Sequence, residues 1–149
     1  MSWKYIAGFF DGEGSIARNG RGFRITIPQT NLLVLKRIKA FTRVGTICKV
    51  TKREMHWKDS WTYYIASQED VLLFLKNVLP FVIVKHLVVS RVLPKINVLV
   101  RLQREKKERL ILRISKALQL RKKGLSYWRI GLKMNLDRGY VRRLVLGRW

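Results

Sequence analysis

The spacing of apolar and polar positions changes several times along the chain, and each change predicts an element. Residues 3–11 (WKYIAGFFD) read as a short helix, and the glycines of the following GEGS allow a sharp exit from it. From Ser15 to Pro28 the period becomes two: Phe23, Ile25 and Ile27 share one face, and Arg24 and Thr26 the other. With Asn19-Gly20-Arg21-Gly22 as its turn, this stretch is expected to be a hairpin. Thr30 or Asn31 can cap a helix whose apolar positions Leu32, Leu35, Ile38 and Phe41 recur at helical spacing until Val44-Gly45. A second hairpin follows, with Cys48 and Val50 alternating against Lys49, Thr51 and Arg53, and SWTYYIA as the return strand. Ser67 and Asp70 resemble a capping box opening a helix from Gln68 to about Leu79, and Pro80 is expected to start another through Arg91 or beyond.

The order αββαββα implies an α+β fold. Two αββ halves make a four-stranded antiparallel sheet with helices on one side and an exposed, basic opposite face. Cys48 is expected to pack as a small core residue. The apolar region from Val71 to Val100 is core and not a membrane span. Lys76, Pro80, Lys85, His86, Arg91, Pro94 and Lys95 interrupt it before about 18 residues accumulate. Near residue 103 the composition changes, and 104–149 reads as a basic helical extension punctuated by Gly124 and Asn135-Leu136, so the chain divides into 1–103 and 104–149.

Charge narrows the partner. The 149 residues hold 32 Lys and Arg against 9 Asp and Glu, a net charge of +23, which points to a polyanion and away from an ordinary enzyme of small metabolites. The last third, 101–149, holds 16 basic and 3 acidic side chains and is the most basic. One cysteine and two scattered histidines exclude a disulfide scaffold or zinc finger. No signal-peptide pattern opens the sequence, so an intracellular location, cytoplasmic or organellar, is expected.

Ile6-Ala7-Gly8-Phe9-Phe10-Asp11-Gly12-Glu13-Gly14-Ser15 is the most informative segment. Two carboxylates at a helix C-terminus oppose its dipole, at roughly 0.3 to 1 kcal/mol each unless a cation neutralises them. Gly8 allows a second backbone to approach closely, and Ala7 keeps that face slim, as contact between the helices of two subunits requires. The alternative is a small-residue helix packed in a core with two solvated acids beyond it.

With its position at the head of this succession of elements, IAGFFDGEG resembles the LAGLIDADG signature of the homing endonucleases, in their single-motif, homodimeric form. The resemblance covers residues 3 to about 100. It implies that the motif helix pairs with its copy in a second subunit through Ala7, Gly8 and Asp11. It also implies that Glu13, helped by the Gly12 carbonyl, binds the catalytic divalent metal, Mg²⁺ with Mn²⁺ able to substitute. Glu13 stands where Asp is usual, which moves the metal by about one carbon–carbon bond while keeping a hard oxygen ligand. Gln29 and Lys85 match the family's polar residue before the second helix and its lysine after a Pro-containing turn. Their implied roles are to orient the attacking water and to stabilise charge on the phosphate.

Arg18, Arg21, Arg24, Thr26, Lys49, Thr51, Arg53 and Lys58 are expected on or near the exposed strand face, where a ribbon follows the major groove of DNA. The extension resembles a helix-turn-helix module: Ser126 leads the first helix, Asn135-Leu136 form the turn, and Asp137 caps a second helix with Val141 and Leu144 inward. Arg138, Tyr140, Arg142 and Arg143 are left for DNA. The resulting expectation is a homodimeric endonuclease making a staggered double-strand break in a long, nearly palindromic DNA target. An RNA-binding maturase, a DNA-binding regulator that does not cut, and a basic ribosomal protein are the rivals; the last explains the charge but not the acidic motif.

Overall fold

A computed structural model describes residues 1–52, 54 and 56–148. Its elements are α1 (Trp3–Glu13), β1 (Ser15–Asn19), β2 (Gly22–Gln29), α2 (Leu32–Thr42), β3 (Thr46–Lys49), β4 (Trp61–Ile65), α3 (Gln68–Val78), α4 (His86–Lys122), α5 (Tyr127–Met134) and α6 (Arg138–Val145). The four strands form one antiparallel sheet in the order β1-β2-β4-β3. The chain makes two compact units, one of residues 1–101 and one from Leu102 onward.

In the first unit, Phe23, Ile25 and Ile27 of β2 and Tyr63 and Ile65 of β4 face helices α1, α2 and α3. The Tyr63 hydroxyl ends in that core. It donates to the Val44 carbonyl at 2.8 Å and shares a 2.8 Å hydrogen bond with Thr42, so its burial leaves no polar atom unsatisfied. Gln68 joins sheet to helix: its amide accepts from the Phe23 N–H at 2.9 Å and donates to the Phe23 carbonyl at 2.8 Å. The second unit has its own core of Ala117, Ile130, Val141 and Leu144, with Leu110 and Ile114 packed against it.

Several expectations change. Residues 80–85 are not helical, because the N–H groups of Ile83, Val84 and Lys85 are held by Asp11 instead. Helix α4 starts at His86 and runs 37 residues through Pro94 and past the unit boundary, where neither Gly nor Pro stops it. Cys48 is exposed, not in the core. Its cross-strand partner is Thr62, in the row of Pro28 on the outer face, so the alternation of the second hairpin is opposite to that expected. Ala7 is completely buried within its own protomer, so it does not lie on a free face of α1. Among the described residues no helix is long and apolar enough to cross a membrane.

Candidate active site

Ser2 caps α1 by accepting from the Tyr5 N–H at 3.3 Å, and Ile6, Ala7 and Phe10 anchor the helix in the core. The helix ends at Gly14, whose N–H donates to the Phe10 carbonyl at 2.9 Å. A Cβ at Gly14 would run into the Phe10 ring, so glycine is required here by close approach. The last turn of α1 therefore presents Asp11, Gly12 and Glu13 at the junction with β1.

The two carboxylates of that turn differ. Asp11 accepts three backbone hydrogen bonds, from Ile83 at 2.6 Å, Lys85 at 3.0 Å and Val84 at 3.2 Å. Partial burial pushes its pKa up, but the N–H donors and the Lys85 charge outweigh this and hold the carboxyl below the usual aspartate value. The same segment brings the Lys85 ammonium back to α1, where it donates to the Asp11 carbonyl and lies 5.7 Å from the centre of the Phe10 ring. Lys85 thus caps the negative end of the helix. Glu13 is exposed and has no hydrogen-bond or ion-pair partner among the described residues. Because Gly14 is extended, the Gly12 carbonyl has no intrahelical N–H to receive.

These donors suit a hard divalent cation in part. A free carboxylate and an unpaired carbonyl at a negative helix end are oxygen ligands of the right kind. Among the described residues, however, no group of three His, Cys, Asp or Glu side chains that could hold a metal is assembled. Gln29 ends β2, on the strand whose Thr26 pairs with Ser15 at the α1–β1 junction. Its side-chain oxygen is used locally, accepting from the Thr30 N–H at 2.8 Å and hydroxyl at 3.3 Å. The structure thus brings Asp11, Gly12, Glu13 and Lys85 together, and no described contact joins Gln29 to them.

The exposed side of α1 carries Tyr5, Gly8 and Gly12, a stripe at helical spacing. A Cβ at Gly8 or Gly12 would meet nothing in the protomer, so packing within the chain gives no reason for either glycine. Beside the helix end, Ile83 and Val84 are 85% and 77% exposed. Sequence reasoning missed this pair. The signal was an apolar dipeptide in a segment whose backbone N–H groups are committed elsewhere.

The outer face of the sheet is less basic than expected. Its strand positions include one cation, Arg24; across the middle run Ser15, Thr26, Tyr64 and Thr46, paired strand to strand. Ser15 and Thr26 share a hydrogen bond of 2.7 Å. Arg18 lies opposite Phe23 and Lys49 opposite Trp61, so both belong to the helix-side register and reach solvent at the ends of edge strands. Arg21, Thr51 and Lys58 are exposed beside the strands; Arg53 lies outside the described residues. Asp59 bridges Lys49 at 3.2 Å and Lys52 at 2.9 Å.

In the second unit, Ser126 caps α5 and Asp137 caps α6, with Asn135 left-handed at φ 51° between them. A Cβ at Gly131 would strike the Leu136 carbonyl, so glycine there lets the backbone of the turn fold closely against α5. Arg138, Arg142 and Arg143 are exposed, while Tyr140 is half-buried beneath the Arg143 guanidinium, 5.6 Å away.

Residues 2–79 match the model of the LAGLIDADG-like domain, more than half of the chain. The chain belongs to that family. Solved structures of this LAGLIDADG protein's fold include an archaeal intron-encoded homing endonuclease, I-Vdi141I, complexed with DNA, at TM-score 0.54 and 24% identity over 66% of this chain and 69% of that one. The homing endonuclease I-CvuI, complexed with its target in the presence of 2 mM Ca, aligns at TM-score 0.52 and 20% identity over 98% of this chain and 93% of that one. The LAGLIDADG meganuclease I-AabMI, bound to uncleaved DNA, aligns at TM-score 0.54 and 19% identity over 78% of this chain and 44% of its own. These likenesses are of fold. A search of curated proteins returned no match.

Proposed function

We propose that this LAGLIDADG protein is a homodimeric, divalent-metal-dependent endonuclease that makes a staggered double-strand break in a long, nearly palindromic DNA target. The observation that carries the reading is the division of labour at the end of α1, where Asp11 is fully engaged and Glu13 is free. A carboxylate left unpaired against a helix dipole costs stability unless the site binds a cation.

Glu13 and the Gly12 carbonyl of each subunit would hold the metal, Mg²⁺ with Mn²⁺ as substitute. When bound, it polarises the phosphate and supplies hydroxide at neutral pH. The ligand set of one chain is completed by a second copy, whose α1 docks on the Tyr5–Gly8–Gly12 stripe and covers Ile83 and Val84. Asp11 contributes by holding residues 83–85, and not as the interface residue that the motif suggests. That clamp keeps the Lys85 ammonium on the Asp11 carbonyl at the end of α1, where it would meet negative charge growing on the phosphate. Gln29 would orient the water through the amide N–H₂ left over by its local contacts. The outer face offers Arg24 for guanine edges and hydroxyls that both donate and accept; Arg18, Arg21, Lys49, Thr51 and Lys58 at its rim suit phosphates. Residues 104–149 extend this contact as a helix-turn-helix module, with Arg138 and Arg142 exposed on α6.

The test is incubation with Mg²⁺ and a library of near-palindromic duplexes, sequencing the ends produced. The reading expects one family of cut sites with paired, offset breaks. Binding without any metal-dependent break supports the non-cutting regulator instead.

A further inference from the structure

In the unit that begins at Leu102, a hollow of about 730 Å³ is lined by Lys106, Lys107, Arg109 and Arg113 of α4, Arg143 of α6, and Arg148. Its single acid among the described residues, Glu105, pairs with Arg109 at 3.6 Å. Lys106, Lys107, Arg113, Arg143 and Arg148 have no carboxylate partner among the described residues. Cations gathered around one hollow repel each other, and a polyanion relieves that repulsion. From Lys106 to Arg113 the helix rises about 10 Å, at about 1.5 Å per residue, which matches about three nucleotide steps of one strand. Among the described residues Tyr140 is the one aromatic side chain lining the hollow, and it is half-buried with the Arg143 guanidinium 5.6 Å from its ring centre, which favours phosphate contact over stacking by an unpaired base.

The geometry points to a seat for the sugar–phosphate backbone of duplex DNA in this hollow, formed by residues other than those of the sheet and other than Arg138 and Arg142. It rests on the reading of the protein as DNA-binding, but not on its cutting.

The test uses the full chain carrying Lys106→Ala, Lys107→Ala and Arg113→Ala, all exposed positions. Affinity for a duplex of arbitrary sequence is measured by fluorescence anisotropy across a KCl series without divalent metal. The slope of log affinity against log salt should fall by about 2 to 3, since each phosphate contact contributes about 0.9. The charge-keeping variant Lys106→Arg, Lys107→Arg, Arg113→Lys should retain the wild-type slope, which separates lost charge from lost fold. An unchanged slope in the alanine variant overturns the proposal, and an equal slope loss on a single-stranded oligonucleotide overturns the assignment to duplex. Slope loss in a protein that cuts no DNA leaves the hollow assigned and sinks the nuclease reading. A site-specific nuclease with unchanged slope does the reverse.

Discussion

The end of α1 and the unit from Leu102 onward handle charge in opposite ways. At the end of α1 there are two carboxylates and one lysine, and two of the three are fixed by hydrogen bonds whose donors and acceptors can be named. Beyond Leu102 there are many cations, mostly exposed, and Lys106, Lys107 and Arg113 among them have no carboxylate partner among the described residues. Chemistry needs atoms held in place, because a transition state is stabilised only by groups that need no rearrangement to meet it. Affinity for a polyanion needs only a high local density of charge. A substitution at the first region should therefore change rate, fold or assembly, and one at the second should change salt dependence.

The sharpest attempt to break that contrast is Gly8→Leu. Nothing in the protomer opposes a side chain there, so monomer stability should hold while the paired helices are wedged apart. Sedimentation should show a monomer and double-strand cleavage should vanish; a fully active dimer would move the interface elsewhere. Next is Lys85→Ala, expected to slow single-turnover cleavage by roughly 10² to 10³ with less effect on binding. An unchanged rate would reduce Lys85 to a helix cap.

Asp11→Asn probes the clamp. It removes the charge that three N–H groups face, which, with solvent screening of this partly exposed group, should destabilise the fold by about 1 kcal/mol. The sign of its pH dependence follows from the lowered pKa. Stability contributed by Asp11 is fully present above the unfolded value near 3.8 and is lost as pH falls through the lower folded value. The melting-temperature gap between wild type and Asp11→Asn should therefore be flat near neutrality and close in that acid window. A gap that widens on acidification contradicts the clamp. The smallest effect belongs to Arg138→Ala with Arg142→Ala: cleavage chemistry intact and a salt slope shallower by about 2.

What could be read from the sequence follows from how local each signal is. Hairpins and caps are local, so Asn31, Ser67, Ser126 and Asp137 announce their helices and do cap them. The motif marked the end of α1 because its acids lie in one short run. Register is not local. Lys49 and Cys48 exchanged faces because β3 is short and an edge strand, with few apolar positions to fix its alternation. The Asp11 clamp joins residues more than seventy positions apart, so no window could show that residues 83–85 would forgo helix for a carboxylate. Ala7 looked like an interface residue because small size fits both a core and a helix crossing, and only burial separates the two.

The most direct measurement is single-turnover cleavage of a supercoiled plasmid by Glu13→Gln, run beside binding of the same site in Ca²⁺. The substitution keeps the size and exposure of a side chain that has no partner among the described residues, so folding and specific binding should match wild type. Neither nicked nor linear product should form in Mg²⁺ if, as proposed, the free carboxylate at the end of α1 is the metal's ligand. Linear product at the wild-type rate would place the catalytic centre somewhere other than the end of α1.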